Sequence, residues 1–300
     1  MNYVKLDNRK IAVIGGDERE QEIARLAALT GARVSGYGFP WPEGGVDGVT
    51  LEDSAREALE GADYALFPIP GQALDGTLFA PLSPEPIRPD KDLLSVMNPG
   101  SWIILGWPNE ELKAAATAHG VRFSEYEHDV ELMLLRAPAI VEGALGQVIA
   151  NTDITIHNSD VLVIGHGNIG RMLARTLVLL GARVHVAARN PVQRADALAA
   201  GCVPHDLDEI SNVAPTVCMV FSTVPSSVMD REKLALLPPK SLVMDLSAPP
   251  GGLDLNAARG LGHTAVWARG LGRRAPITVG ASQWSGIAKR IEAIEGDKNS

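Results

Sequence analysis

Three glycines in the second half of the chain have the spacing that a phosphate-binding loop requires. Gly165, Gly167 and Gly170 follow the apolar run Asp160–Ile164, and a helical pattern and a second strand come after them. In this context the first glycine permits a tight turn, the second lets the backbone approach a pyrophosphate, and the third lets helix and strand pack closely. The alternative is a glycine turn that has lost its ligand. The predicted cofactor-binding residues of this loop are Gly165, Gly167, Asn168, Ile169 and Gly170.

The end of the strand that follows indicates which dinucleotide binds. Enzymes that prefer NAD carry Asp or Glu there, about 20 residues after the glycines, to hold the ribose 2′-hydroxyl. This chain has Arg189, Asn190 and, one turn later, Arg194. A guanidinium binds a 2′-phosphate through two hydrogen bonds, whereas a carboxylate would repel it. The sequence therefore predicts NADP(H) as the cofactor, with a solvated helix face as the alternative for Arg194.

Two further loops follow strands of the same predicted domain. In open parallel sheets the ligand lies beyond the carboxyl ends of the strands, so these loops are expected to border the nicotinamide half of the cofactor. Thr223 and Pro225 lie in the first loop, and Ser247 lies in the second. Asp245 has two interpretations, since it can contribute to the site or hold its own loop together.

A proton moves together with hydride transfer, and this requires a group that titrates near neutrality. His128 has such a side chain, and burial can bring the carboxyl group of the helical Glu142 into that range. Arg19 is the third catalytic candidate, close to Asp17, which is predicted to cap the first helix. The alternatives are an ordinary histidine for His128 and a solvated side chain for Arg19. No pattern resembles a metal site, so no metal is predicted.

Alternating apolar strands and amphipathic helices must position these residues. With 300 residues and 46% apolar content, the chain can form two ordinary domains with their own cores. The pattern predicts an α/β fold of two doubly wound Rossmann-like domains with parallel sheets. We expect a flavodoxin-like N-terminal substrate domain (1–136), a connecting helix (137–157) and an NADP-binding Rossmann domain (158–277). A last helix (278–296) is predicted to pack back onto the first domain.

The charge and the cysteine content narrow the class of protein. A formal net charge of −9 gives no electrostatic attraction to nucleic acid or to an anionic membrane. Cys202 and Cys218 have no metal-ligand spacing and indicate a reducing compartment. The N-terminus lacks the apolar core of a signal peptide, and no run is expected to reach membrane-spanning length. We therefore expect a cytoplasmic protein that binds neither nucleic acid nor membrane.

Several segments together resemble the dipicolinate synthase A chain, a family that works with a smaller flavoprotein-like second subunit. The resemblance covers most of the sequence. Its most specific part is the opening Gly-Gly-Asp-x-Arg combined with a later Glu-Gly before Thr-Asp-x-Thr-Ile-His. The segments that carry it are Ile11–Glu22, Val141–Gly143, Thr152–His157, Val163–Gly170, Ala188–Arg189 and Asp245–Gly252.

Two segments depart from the family pattern, and both carry arginines. Leu134–Ile140 stands where the family tends to carry Tyr-Asn-Ser before a Pro-Thr-x-Glu-Gly motif, and Gly270–Gly280 has Ile277 at a lysine position. A guanidinium matches a carboxylate through paired hydrogen bonds. The predicted substrate-binding residues are Arg136, Arg273 and Arg274, which Arg19 would assist.

The resemblance implies domains arranged as in 2-hydroxyacid dehydrogenases and the activity of an NADP-dependent oxidoreductase. Its substrate would be a small cyclic dicarboxylate, an intermediate of the dihydrodipicolinate pathway that is converted to dipicolinate or a related compound. Glu142 or His128 would move the proton. A flavoprotein-like second subunit is the implied partner, and we expect a homo-oligomer. The alternative function is a non-catalytic protein that senses NADP and scaffolds a partner.

Overall fold

The computed structural model describes residues 4–68, 71–73, 75–126 and 128–298. The chain forms two compact units, the first made of Met1–Leu135 and Ala275–Ser300 and the second of Arg136–Arg274. Each unit contains a six-stranded sheet, and all neighbouring strands in it are parallel. The predicted fold class, two α/β domains with doubly wound parallel sheets, is therefore confirmed.

The regular elements follow in chain order. The strands are β1 (Lys10–Ile14), β2 (Arg33–Tyr37), β3 (Val49–Leu51), β4 (Tyr64–Leu66), β5 (Trp102–Leu105), β6 (Arg122–Glu125), β7 (Asp160–Ile164), β8 (Arg183–Ala187), β9 (Val203–His205), β10 (Met219–Ser222), β11 (Leu242–Asp245) and β12 (Thr264–Trp267). The α-helices are α1 (Glu18–Ala28), α2 (Ala55–Leu59), α3 (Lys91–Leu94), α4 (Glu110–Thr117), α5 (Val130–Asn151), α6 (Asn168–Leu179), α7 (Pro191–Ala199), α8 (Ile210–Val213), α9 (Arg231–Leu234), α10 (Leu255–Gly260) and α11 (Pro276–Lys298).

Both sheets have the same strand order. The first is β3-β2-β1-β4-β5-β6, and the second is β9-β8-β7-β10-β11-β12. The order reverses beside β1 and beside β7, and open α/β sheets bind ligands beyond the carboxyl ends of the strands at such a point. The first unit thus differs from the expected flavodoxin-like domain, because β3 adds a sixth strand at its edge. Thr50 and Leu51 of β3 are exposed, so the strand has no buried apolar pattern in the sequence.

The first sheet is covered by apolar side chains on both faces. Ile11 and Val13 of β1 belong to one buried cluster. Ala12 and Ile14 belong to another, as expected for alternating side chains of a strand. The run Lys10–Ile14 is almost fully apolar because both of its faces are buried.

The C-terminal helix α11 belongs to the first unit and packs along α1. Trp284 and Ile291 of α11 are buried in the same apolar cluster as β1. The helices approach closely at Gly280, where a Cβ atom would lie 2.6 Å from the carbonyl oxygen of Arg19. The helix spans Pro276–Lys298, slightly more than the segment 278–296 given by the apolar pattern.

Helix α5 begins earlier than the sequence suggests. The sequence predicts a connecting helix over 137–157, whereas α5 spans Val130–Asn151 with Pro138 inside it. Proline is favoured in the first turn of a helix, which is why the sequence pattern places the start there. By length and composition α5 is the one described helix able to cross a membrane, a test that core helices of soluble proteins also pass.

Candidate functional site

The glycine loop between β7 and α6 adopts the geometry that its spacing predicts. Gly165 has a positive φ of 93°, and a Cβ atom on it would lie 2.5 Å from the hydroxyl oxygen of Thr223. A Cβ atom on Gly170 would collide with the carbonyl oxygen of Gly165. These two glycines are therefore required by the turn and by close packing of helix on strand.

Gly167 differs from Gly165 and Gly170 because a Cβ atom on it would meet no other atom of the described residues. It is exposed, and in the described part of the chain no heavy atom beyond its neighbours lies within 4 Å of a Cβ placed on it. It is the N-cap of α6, and no described side chain hydrogen-bonds there as a cap. The positive end of the helix dipole and the N–H groups of the first turn therefore start beside an open position, as in sites that bind a pyrophosphate.

Two arginines follow β8: Arg189 is exposed, and Arg194 is hydrogen-bonded within the protein. Arg189 is exposed, and Asn190 caps α7 by accepting a hydrogen bond from the Val192 N–H at 2.8 Å. The sequence predicts that Arg194 binds the cofactor directly or lies on a solvated face. Instead its Nη1 donates to the carbonyl oxygens of Ala188 and Arg189, at 2.7 and 2.8 Å.

The same nitrogen of Arg194 contacts a carboxylate. Its Nη1 lies 2.7 Å from Oδ2 of Asp206, the residue that follows β9. Arg194 therefore holds the end of β8 in place and neutralises the neighbouring carboxylate. Arg189 is left as the exposed guanidinium at this position.

The two loops after β10 and β11 are held by their own side chains. The hydroxyl group of Thr223 donates to the carbonyl oxygen of Ile164 at 3.1 Å. The Ser247 hydroxyl donates to Oδ1 of Asp245 at 2.6 Å, whereas Pro225 is exposed. Asp245 is 1% exposed and also accepts hydrogen bonds from the Gly252 and Leu253 N–H groups, so it anchors its own loop.

A histidine inside the glycine loop connects it to helix α7. The side chain of His166 is 1% exposed, and its Nε2 lies 3.0 Å from Oδ2 of Asp196. A carboxylate oxygen accepts hydrogen bonds, so this contact is a hydrogen bond when Nε2 carries a proton. Sequence reasoning places His166 in the cofactor unit but offers no reason to pair it with Asp196, 30 residues later.

Two of the predicted functional residues of the second unit bind each other. Glu142 of α5 forms an ion pair with Arg274, and both side chains are about half exposed. The pair lines a cavity of about 370 Å³. Arg273 lines the same cavity, together with Arg269 and Gln147. A proposed proton carrier and a proposed carboxylate-binding residue are thus neighbours, and three arginines line the cavity that contains the Glu142 carboxylate.

In the corresponding loop of the first unit, between β1 and α1, acidic side chains occupy the start of the helix. Asp17 caps α1, and the Glu20 side chain accepts a hydrogen bond from the Asp17 N–H at 2.7 Å, which completes a capping box. Arg19 is bound to Asp17 by two hydrogen bonds of 2.7 and 2.9 Å, and its side chain is only 12% exposed. Arg19 is therefore an engaged side chain rather than a solvated one.

Glu20 is the most perturbed acid in this cluster. It is 2% exposed, and its Oε1 has no hydrogen-bond partner among the residues that the structure describes. Burial raises the pKa of Glu20 to about 7, and the nearby Arg19 opposes that shift. The sequence carries a signal for the cap at Asp17 but none for the burial of Glu20.

His128 and Arg136 are two further predicted residues. His128 is exposed in the turn that precedes α5, and Arg136 is half-buried on α5 at the first residue of the second unit. Across the described ranges, no group of three or more His, Cys, Asp or Glu side chains could hold a metal ion.

Both halves of the chain match known families. Residues 10–127 match the family described as the N-terminal domain of the dipicolinate synthase A chain. Residues 141–248 match the D-isomer specific 2-hydroxyacid dehydrogenase, NAD binding domain. The dipicolinate synthase A chain of Bacillus subtilis (strain 168) is 32% identical over 296 residues, which cover 97% of this chain and 99% of that protein.

Solved structures are similar over nearly the whole chain. Dipicolinate synthase A chain from Bacillus subtilis has a TM-score of 0.85 at 29% identity, covering 98% of this chain and 99% of that one. The same protein from Bacillus halodurans has a TM-score of 0.85 at 27% identity, covering 95% and 98%. A transhydrogenase from Sinorhizobium meliloti shares the fold, with a TM-score of 0.70 at 15% identity over 95% and 94%.

Proposed function

This chain belongs to the dipicolinate synthase A chain family, and from that premise we propose that it is an NADP-dependent oxidoreductase. Its second unit carries a dehydrogenase-type NAD-binding domain. The proposed substrate is a small cyclic dicarboxylate, an intermediate of the dihydrodipicolinate pathway that is converted to dipicolinate or a related compound. NADP supplies the hydride chemistry when bound, and the chain binds and orients the reactants.

The open start of α6 at Gly167 is the observation that carries the cofactor proposal. The loop fits a pyrophosphate, because no described atom beyond its neighbours lies within 4 Å of a Cβ placed on Gly167 and no described side chain caps the helix. We propose that Gly165, Asn168, Ile169 and Gly170 complete this loop around the phosphates, with Thr223, Pro225 and Ser247 bordering the nicotinamide half.

The preference for NADP over NAD rests on Arg189. No carboxylate stands directly after β8, where a ribose 2′-hydroxyl would need one. Arg189 is exposed, and Arg194 fixes its backbone while neutralising Asp206. Arg189 with Asn190 therefore supports binding of a 2′-phosphate, and Arg194 acts through the backbone.

The cavity beside Glu142 is the proposed place for a substrate carboxylate. Arg273 and Arg274 line it, and a guanidinium recognises a carboxylate through two hydrogen bonds. Glu142 already contacts Arg274, so it is placed to exchange a proton or to give way to an incoming carboxylate. Arg19, Arg136 and His128 keep their proposed roles in substrate recognition and proton transfer, which binding and turnover of their variants would test.

Calorimetry with both cofactors tests the NADP assignment. We expect NADPH to bind at least about tenfold more tightly than NADH, equivalent to about 1.4 kcal/mol, and Arg189→Asp to reverse that order. Arg175→Asp makes the same charge change at an exposed position of α6 and should keep the preference for NADPH. Equal affinities in the parent protein would rule out the assignment.

A non-catalytic NADP-binding scaffold is the second candidate function. Two of the arginines proposed for the substrate already hold carboxylates of the chain itself, Arg19 with Asp17 and Arg274 with Glu142. Turnover separates the two functions. If NADPH binds but no dihydrodipicolinate-pathway intermediate changes its oxidation state in the presence of the cofactor, the scaffold is the function.

We propose that the protein acts in the cytoplasm as a homo-oligomer and that a smaller flavoprotein-like second subunit is its partner. The family to which the chain belongs supports the partner proposal, since the related proteins are named as one subunit of a synthase. Light scattering of the purified chain, alone and mixed with such a partner, would test both assemblies.

A further inference from the structure

We propose that His166 and Asp196 form a positioning pair that fixes the pyrophosphate loop relative to the ribose-binding end of β8, so that the whole dinucleotide binds more tightly than its parts. This inference rests on the proposed function, because it concerns the same NADP site. Neither side chain is explained by the three glycines, which are needed for the tight turn, for the approach of the backbone to the pyrophosphate and for packing of the helix on the strand.

The first step is the position of His166 in the loop. It stands between Gly165, which makes the turn, and Gly167, which leaves the space for phosphates. Its side chain is 1% exposed, so the ring is fixed beneath the loop rather than pointing into solvent. A displacement of this ring would move the backbone on both sides of it.

The second step is the route from Asp196 to the ribose end. Asp196 lies on α7, two residues after Arg194, and Arg194 holds the carbonyl oxygens of Ala188 and Arg189. The helix is short, and Asn190 caps its start directly beside Arg189. A contact at Asp196 therefore reaches the 2′-phosphate position through one rigid helix.

The third step concerns the glycine loop after β7 and the chain after β8. The backbone hydrogen bonds between them end just before the contact of His166 with Asp196. The Gly165 N–H donates to the carbonyl oxygen of Ala187 at 2.9 Å, as a continuation of the β7 and β8 pairing. Beyond that bond the two segments leave the sheet separately. The 3.0 Å contact of His166 with Asp196 joins them again through side chains.

The cost of the histidine also indicates a role beyond packing. Its Nδ1 is buried and has no hydrogen-bond partner among the described residues. Leaving a buried polar atom without a partner is unfavourable, and an apolar side chain at this position would avoid that cost. The contact with Asp196 is the feature that an apolar side chain would lose.

The test compares NADPH with adenosine 2′-monophosphate, which reaches only the ribose end. Asp196→Ala removes the contact at a side chain that is 48% exposed, so no cavity forms in the core. Because the pair positions two subsites relative to each other, we expect the dissociation constant of NADPH to rise about tenfold and that of the monophosphate to change less than about twofold. Asp208→Ala, an exposed acid of the same unit, is the matched control and should change neither.

The histidine side of the pair gives a second measurement. His166→Leu should weaken NADPH binding as much as Asp196→Ala does, and the double variant should be no weaker than either single one. His166→Gln keeps an N–H donor and should restore much of the affinity. Thermal unfolding of each variant without cofactor separates positioning from loss of fold.

Three outcomes would overturn the proposal. They are equal weakening of NADPH and of the monophosphate, additive effects in the double variant, and no weakening of NADPH by either single substitution. Failure of the proposed function is distinguishable, because then the parent protein itself would not bind NADPH.

Discussion

The loops after β1 and β7 stand at the same place in two sheets of identical strand order, but they prepare the following helix in opposite ways. In the first unit Asp17 caps α1, and Glu20 completes a capping box, so the helix start is filled with carboxylates of the chain. In the second unit Gly167 stands at the cap of α6 without a side chain. An anionic ligand is repelled at the first helix start and attracted at the second.

The segment between β4 and β5 strengthens this contrast. The carbonyl oxygen of Phe79 accepts a 2.6 Å hydrogen bond from the Gly16 N–H. The side chain of Ile87 lies 2.7 Å from the place where a Cβ atom of Gly38, just after β2, would be. The carboxyl end of the first sheet is thus covered by its own chain. Strand order creates a crevice, and local residues decide whether a ligand can enter it.

Gly167→Val should produce the largest effect, because it fills the space that distinguishes the second loop. We expect NADPH affinity to fall by more than about 100-fold, or about 2.7 kcal/mol, since a branched side chain would occupy the phosphate position. The fold should survive because the backbone of Gly167, with φ of −81°, is accessible to any residue. Fluorescence titration of NADPH measures the loss.

A matched glycine provides the control for this substitution. Gly44 is exposed, and no described heavy atom beyond its neighbours lies within 4 Å of a Cβ placed on it. Gly44→Val should therefore leave NADPH binding unchanged. The parent protein should bind one NADPH per chain, and a stoichiometry of two would mean that the closed first loop also binds a dinucleotide.

Glu20→Gln should change the pH dependence of folding. The pKa of Glu20 is raised to about 7 in the folded protein, above its ordinary value of 4.5. Below pH 4.5 the Glu20 carboxyl group is protonated in both the folded and the unfolded protein. As the pH rises towards 7 the unfolded protein loses this proton first, so the free energy of unfolding decreases. Glutamine does not ionise, so the variant should be more stable above pH 7, by about 3 kcal/mol at most.

Denaturant unfolding across this pH range measures the effect. The difference between the variant and the parent protein should be small near pH 4.5 and should reach its maximum above pH 7. Glu18→Gln changes an exposed acid of the same helix turn and should give no such trend. A parallel pH profile for both variants would show that Glu20 is not buried in its neutral form.

Glu142→Gln should produce the smallest effect, and it sharpens a second contrast between the units. The Arg19 and Asp17 side chains are 12% and 2% exposed, whereas those of Arg274 and Glu142 are 49% and 59% exposed. An exposed ion pair contributes only about 0–1 kcal/mol, so a substrate carboxylate can replace Glu142 at little cost. The variant should bind pyridine-2,6-dicarboxylate about threefold more tightly.

Isothermal titration of the dicarboxylate checks this, with turnover measured beside it. If Glu142 also moves the proton, kcat should fall while binding improves. Glu131→Gln breaks a similarly exposed ion pair with Lys289 and should alter neither quantity. Weaker binding of the dicarboxylate to the Glu142 variant would contradict the displacement model.

Local chemistry made much of the fold and of the cofactor loop predictable. Gly165 has a positive φ in a tight turn, a Cβ atom on Gly170 would collide with the carbonyl oxygen of Gly165, and Asp17 caps the helix directly after it. Such constraints act over short sequence distances, so spacing alone reveals them. The apolar run Lys10–Ile14 is recognisable for the same reason, because both faces of a central strand are buried.

Pairs that form across long sequence distances were not predictable. The ion pairs of Arg194 with Asp206 and of Glu142 with Arg274 form only when the strands are arranged in the sheet. In the sequence alone, a guanidinium is equally suited to a ligand and to a carboxylate of its own chain. This is why the sequence predicts a phosphate contact for Arg194 and a substrate carboxylate for Arg274, and neither of the ion pairs that these arginines form within the chain.

The discontinuity of the first unit has a consequence for biosynthesis. Domains generally fold as units while the chain is being made, with the N-terminal one first. Here α11 supplies Trp284 and Ile291 to the apolar core around β1, so that core stays incomplete until the last helix has emerged from the ribosome. The second unit is continuous from Arg136 to Arg274 and can close its core earlier. The nascent first unit therefore exposes the apolar face that α11 will cover until that helix packs onto it.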